Sequence, residues 1–189
     1  MRDALTPEGV PSLFEPNPVA AARARENLAR NQLSFKVYEL ALSDSNGEIR
    51  FECHGAVDSV GHVVVGPPKS HSATRMVPCI TFDEFLRQHG DLEFPVSLVK
   101  IDVEGHENWV LRGMRQFLAE KRPPLVMFEY LQRTNLEQTI SIFAVVGYRV
   151  FELGTNGPIV ITGRVEPLQD LFACHSERMP AMDVASATS

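Results

Sequence analysis

Apolar positions along the chain fall into short runs with a period near two and longer runs with a period near 3.6. Gly, Pro, Asn, Asp and Ser separate them. The least interrupted run holds Val96, Leu98, Val99 and Ile101, then Val103; only Ser97 and Lys100 break it before Asp102. A run that short and that apolar predicts a strand buried on both faces, as in the middle of a parallel sheet. It gives way to Asp102, Glu104 and Gly105. A helical spacing follows, with Val110, Met114, Phe117 and Leu118 at i, i+4, i+7 and i+8. Two carboxylates, with Glu107 as a third, therefore sit where a central strand hands over to a helix. In open α/β sheets ligands bind at that carboxyl edge.

The flanking chain reads in the same terms. Leu13 and Phe14 close a short apolar segment before Glu15-Pro16-Asn17-Pro18, where Asn17 suits a helix N-cap and Pro18 the first helical residue. That helix is predicted to run to about Arg30, with Ala21, Ala24 and Leu28 inward. Phe35–Leu40 and Glu48–Cys53 alternate as strands, joined through Ala41–Asp44 and a Ser45-Asn46-Gly47 turn. Gly55–Ser72, rich in Gly, Pro, His and Ser, predicts a long loop with a short strand at Val63–Val65. Thr81–Glu84 fits a capping box opening a helix over Phe82–His89, with Gly90 ending it.

Pro123-Pro124 stops the helix after the central strand, and Leu125–Phe128 predicts a second buried strand ending in Glu129. Thr134–Glu137 fits another capping box, with Leu136, Ile140, Phe143 and Ala144 inward and Gly147 as the stop. Tyr148–Leu153, a Gly154–Gly157 turn and Ile159–Thr162 predict a closing antiparallel hairpin, and Ser176–Ser189 a polar, frayed tail. Strands alternating with helices and ending in a hairpin predict one α/β domain over residues 1–175, with a Rossmann-like, mostly parallel sheet.

Composition narrows the classes of function. A chain of 189 residues, 44% hydrophobic and 22% charged, suits a single globular domain with a full core. A net charge of −6 without a Lys/Arg block argues against nucleic acid as a partner. No apolar run approaches the ~20 residues of a membrane helix. MRDALTPEGVPS at the N-terminus lacks the apolar core of a signal peptide. Cys53, Cys79 and Cys174, odd in number and far apart, read as reduced thiols of a cytoplasm-like compartment. His54, His62 and His71, near Cys53 and Asp58, fit no zinc spacing, so no metal is expected from them.

Four stretches carry a family resemblance. FEPNP at Phe14–Pro18, ALSDSNGEIRF at Ala41–Phe51, VKIDVEGHENWVLRGM at Val99–Met114 and LVMFEY at Leu125–Tyr130 resemble the FkbM family of S-adenosylmethionine (SAM)-dependent methyltransferases in order and spacing. KIDVEG is the more specific signal, and FEPNP alone is a weak one. The resemblance implies the Rossmann-like methyltransferase sheet, SAM as cofactor, and methylation of a hydroxyl on a sugar, polyketide or related small molecule. The family pattern also sets a strand, a glycine-rich loop and a helix ahead of the Glu-Pro-Asn-Pro strand, whereas 13 residues precede Phe14 here. On that pattern the first strand and most of its helix are expected to be missing, and Val96–Asp102 to lack a neighbour. The chain is then expected to self-associate through unpaired strand edges. The alternative reading is a truncated, inactive copy that serves, if at all, as an interaction module.

The resemblance also implies roles for individual residues. Glu15 is expected to accept hydrogen bonds from the SAM ribose hydroxyls, with Asn17 beside it; Ala41, Leu42 and Asp44 are expected to border the adenine. Asp102 is expected to orient the SAM amino group or the acceptor hydroxyl, and Glu104 to take the hydroxyl proton. Methyl transfer from a sulfonium is an in-line displacement, so positioning supplies much of the rate. An alcohol is a weak nucleophile until a base removes its proton, and neighbouring carboxylates push one pKa toward a usable base. His106 is the alternative base; Glu129 ends the adjacent strand and would face the same cleft.

Each residue has a plainer reading as well. Glu15 sits beside a helix N-terminus, Asp44 suits a turn, and Asp102, Glu104 and Glu107 suit a helix start. His106 would be an exposed first-turn residue, and Trp109, Met114 and Phe117 would be packing. A third reading is an acid-cluster hydrolase using Asp102, Glu104 and a metal, which a divalent-ion requirement would separate from methyl transfer.

Overall fold

The computed structural model describes residues 11–53, 61–64, 73–90 and 95–179. Its elements are, in order, β1 (Ser12–Phe14), α1 (Pro18–Arg30), β2 (Lys36–Tyr38), β3 (Ala41–Leu42), β4 (Gly47–Cys53), β5 (Gly61–Val63) and β6 (Ala73–Ile80). There follow α2 (Phe82–His89), β7 (Leu98–Ile101), α3 (Glu107–Gly113), α4 (Arg115–Lys121), β8 (Leu125–Tyr130), α5 (Leu136–Val145), β9 (Tyr148–Gly154), β10 (Gly157–Val160) and β11 (Gln169–His175). The chain is thus mixed α/β, as its alternating periods predict. His54, Asp58, His71 and the tail from residue 180 lie outside the described residues, as does most of the Gly55–Ser72 loop.

The strands form three sheets with the orders β1-β2, β3-β6-β4-β5 and β10-β9-β11-β8-β7. A mostly parallel sheet is not what these residues form: three of the eight pairings are parallel, β1–β2, β3–β6 and β7–β8. The predicted closing hairpin is present as β9–β10. The sequence pattern did not predict β11, which enters antiparallel between β8 and β9 and reverses that half of the sheet. Nor did it predict β6, which runs unbroken through Pro78. Among the described residues β3 pairs only with Cys79 and Ile80 of β6, so the other side of Pro78 is open, where a residue without an N–H is tolerated.

β7 differs from the strand buried on both faces that its apolar run predicts: Leu98 is 54% exposed. Among the described residues it pairs with β8 alone. Behind it, α3, α4 and α5 close over β8, β9 and β11 around Leu111, Leu118, Val126, Phe128, Phe143 and Leu171, all fully buried. β1 and β2 join this core through rings: Phe14 stacks on Tyr38 at 5.1 Å and meets Phe85 of α2 edge-on at 4.9 Å.

Helix starts explain where the pieces turn. Asn17 caps α1 by accepting from the Val19 N–H, and Thr81 caps α2 by accepting from Glu84, both as the sequence predicts. The single helix predicted after the central strand breaks at Met114 into α3 and α4. Asp83 of α2 supplies the cap for α4, its two oxygens accepting from Gln116 and Phe117 N–H at 2.9 Å each. At α5 the cap is Asn135 and not Thr134, because the Thr134 hydroxyl is turned toward Glu107 instead. None of the described helices is long and apolar enough to cross a membrane.

Candidate active site

β7 and β8 run parallel with Ile101 opposite Phe128, so the next residues, Asp102 and Glu129, emerge at the same sheet edge. The chain then turns sharply. Glu104 takes a left-handed φ of 55° and Gly105 a φ of 93°. A Cβ at Gly105 would fall 2.5 Å from Arg133 Nε, so the glycine lets Arg133 lie across the turn. Arg133 donates to Glu104 Oε2 at 2.7 Å, and Lys100 donates to Asp102 at 2.8 Å. One carboxylate oxygen from each of Asp102, Glu104 and Glu129 lies within 4.8 Å of the others. Of the three acids, Glu129 makes no ion pair within 4 Å among the described residues, and its Oε2 is buried without a hydrogen bond; Lys100 feels its charge only at longer range. Burial, then the charges of Asp102, Glu104, Glu107 and Asp170, hold its pKa above the usual carboxylate range. The spacing is close enough to share a cation, but Lys100 and Arg133 already neutralise two members, so it does not by itself make a metal site.

Glu107 points inward from the same loop and is wholly buried. Its Oε1 accepts from the Gly105 N–H at 2.9 Å and its Oε2 from the Thr134 hydroxyl at 3.1 Å. It is the satisfied helix-start acid of the plainer reading, and it ties the acid loop to the segment after β8. Asn108 beside it is buried too, and accepts from Thr139 of α5 at 2.6 Å.

His106 is not the exposed first-turn residue expected. It is 2% exposed, with Nε2 lying 3.0 Å from Ser43 Oγ. Burial pushes its pKa down to about 4; Asp44 opposes that shift and Arg112 adds to it. The ring is therefore neutral near pH 7 and shielded from solvent.

Of the predicted adenine-side residues, Ala41 is buried and Leu42 half-buried on β3, and Asp44 accepts from Arg112 Nε at 3.1 Å. Glu15 and Asn17 form a further cluster with Arg75 of β6: Asn17 Oδ1 accepts from Arg75 at 3.1 Å, and Glu15 Oε1 from the Asn17 N–H at 2.7 Å. Burial raises the Glu15 pKa, against the Asn17 N–H and the Arg75 charge. Its second oxygen makes no hydrogen bond among the described residues. The structure thus gathers the predicted residues into three groups: Asp102 and Glu104 with Glu129, Asp44 with His106, and Glu15 with Asn17. Two depressions of about 300 and 220 Å³ lie between α1 and the β1–β2 pair, and no predicted site residue lines either.

Sequence reasoning missed the cations. Lys100 had a local signal, since residues two apart in a strand share a face. Arg75, Arg112 and Arg133 had none, because their partners are distant in the chain.

Comparison with known proteins follows the same lines. The model of the methyltransferase FkbM domain matches residues 6–150. The chain is 35% identical over 105 residues to hexuronic acid methyltransferase AglP of Haloferax volcanii, a match spanning 56% of this chain and 41% of that protein. It is 29% identical over 175 residues to 2-O-methyltransferase NoeI of Sinorhizobium fredii, spanning 85% of this chain and 70% of that one. The chain thus covers less than half of the first relative's length. Among solved structures, methyltransferase FkbM from Methylobacillus flagellatus aligns with a TM-score of 0.46 at 13% identity, covering 87% of this chain and 36% of that chain.

Proposed function

The chain belongs to the methyltransferase FkbM domain family, and from that premise we propose that it moves a methyl group from SAM to a hydroxyl of a small sugar or uronic acid. SAM, when bound, would supply an electrophilic methyl carbon: the acceptor oxygen would form the new C–O bond as the C–S bond to S-adenosylhomocysteine breaks, and a carboxylate of this chain would take the hydroxyl proton. The carrying observation is the trio of acids at the shared edge of β7 and β8, one of which keeps a buried oxygen without a hydrogen bond. Asp102 and Glu104 each hold a cation on one oxygen, which suits them to orient the acceptor hydroxyl or the donor's ammonium. Glu129 is the proton acceptor in this reading. The expectation put the proton on Glu104, with His106 as the alternative base; this reading prefers Glu129, because Arg133 already occupies a Glu104 oxygen.

The donor itself suits the residues present. Glu15, with one oxygen open and held at the end of β1, would take the ribose hydroxyls, beside Asn17. Ala41, Leu42 and Asp44 would border the adenine. The Rossmann-like arrangement belongs to this reading too, with β1–β2 and β7–β8 as its parallel portions and the open edge of β7 as a surface for pairing with another strand. Thiols in the reduced state, a cytoplasm-like compartment and a small-molecule acceptor with neither nucleic acid nor membrane as partner complete it.

The test is transfer of isotope-labelled methyl from SAM to a panel of hexoses and hexuronic acids, alongside calorimetry with S-adenosylhomocysteine. Label held in a base-stable ether supports hydroxyl methylation. Label lost to mild base would mean ester formation on a carboxylate and overturn the hydroxyl assignment. Absence of both binding and transfer would overturn the function.

A further inference from the structure

Ser43 links β3 to the β4 turn and is 1% exposed, so its placement depends on what α3 presents to it. Three contacts reach across. The first is His106 Nε2, 3.0 Å from Ser43 Oγ. The second is the Asp44–Arg112 ion pair at 3.1 Å. The third is backbone: a Cβ on Gly113 would fall 1.9 Å from the Ser43 carbonyl oxygen, so the helix and the turn touch with nothing between them. Trp109 joins the two side-chain contacts into one unit. Its ring lies parallel to His106, with centroids 4.8 Å apart and planes 1° apart, and the Arg112 guanidinium stands 5.2 Å from its centre. These residues lie at i−3 and i+3 from Trp109, neighbours along the helix surface.

The protonation of His106 follows from the same geometry. Its Nδ1 is buried with no partner. A lone pair left unpaired there is tolerated more readily than an N–H, so the proton belongs on Nε2, donated to Ser43. A second proton would put an N–H on Nδ1 with nothing to accept it. Asp44 and Arg112, the charged groups facing the ring, pull in opposite directions.

We propose that His106, Trp109 and Arg112 form a positioning clamp that grips the Ser43–Asp44 turn and sets affinity for the adenosine half of the methyl donor, with His106 a positioning residue and not a base. This rests on the donor reading given above. Because α3 continues directly from the loop carrying Asp102 and Glu104, the clamp connects the adenine-side turn to the acid edge through one short stretch of chain.

The test uses the full 189-residue chain and S-adenosylhomocysteine. His106→Leu should weaken binding by roughly three- to tenfold, the loss of one buried hydrogen bond, and raise KM for SAM while kcat at saturation holds. His106→Gln, whose amide nitrogen reaches the place of Nε2, should restore most of the affinity. Ser43→Ala should match His106→Leu, and the double variant should be no weaker than either. Additive losses, or a collapse of kcat at unchanged affinity, would overturn the clamp, and the latter would make His106 the base.

A second measurement needs no donor. Trp109 is the only tryptophan, and a stacked imidazolium quenches indole emission. Emission should hold steady from about pH 8 to about pH 5; quenching centred near an ordinary histidine's value of about 6.5 would refute the buried stack. A wild-type chain that binds no S-adenosylhomocysteine overturns the donor reading and the clamp's role in affinity. The emission profile tells that failure apart from failure of the clamp itself.

Discussion

Replacing Glu107 tests whether the acid loop is held from inside. The carboxylate is fully buried and accepts two hydrogen bonds, from the Gly105 N–H at 2.9 Å and the Thr134 hydroxyl at 3.1 Å. Hydrogen bonds to a charged group contribute about 1.5–3 kcal/mol each, and Glu107→Ala also strands both donors beside a cavity. Relief from desolvating a carboxylate offsets part of this. The net cost should be about 2–4 kcal/mol. Glu107→Gln behaves differently. Its amide oxygen still accepts from Gly105, and its NH₂ donates to Thr134 Oγ1, so the cost should be about 1 kcal/mol or less. Urea unfolding followed by Trp109 fluorescence and far-UV circular dichroism reads both values, and the slope reports whether the transition stays two-state. The glutamine variant should also keep its turnover. Equal costs for the two variants would refute the hydrogen-bond account. A glutamine variant slowed by about a hundredfold at unchanged stability would move Glu107 into the chemistry.

Glu129→Gln should lower the single-turnover rate by about 10²–10⁴ with donor affinity retained, and full activity in that variant would remove Glu129 as the base. Its pKa is raised in the folded chain, so the wild-type rate should climb with pH as the carboxylate forms. The same shift makes the native state bind that proton more tightly than the unfolded chain does. Glu129 therefore lowers stability as pH rises from its unfolded pKa through its folded one, and Glu129→Gln should melt no lower than wild type at pH 7. Gly113→Ala must displace the Ser43 carbonyl and should cost about 1–3 kcal/mol and weaken S-adenosylhomocysteine binding; an unchanged melting temperature would contradict the contact. Asp83→Ala removes the cap of α4 and should cost about 1–2 kcal/mol in urea without altering donor affinity.

Much of this chain could be read locally. α1 and α2 begin and end where Asn17, Thr81 and Gly90 place them, because a cap and a 3.6-residue stripe are properties of a few neighbouring residues. The acid loop follows β7 for the same reason, since a short apolar run ending in Asp and Gly carries its own stop. β6 and β11 escaped because their inward positions are Val77 and Cys79, and Leu171, Ala173 and His175, a signal too small or too polar to stand out beside Arg75 and Pro78. How much of β7 is covered is set by its neighbours and not by its own residues: Leu98, apolar like the rest of the run, is 54% exposed. The site divides in the same way. Asp102, Glu104 and Glu129 were visible as acids at strand ends. Which of them is held in an ion pair depends in part on Arg133 reaching Glu104 across 29 residues, and the low pKa of His106 comes from its burial among distant segments, with Ser43, 63 residues away, against its ring. Periodicity and caps are written within one or two turns of chain, whereas ion pairs and burial are set by which distant segments the sheets and helices bring together.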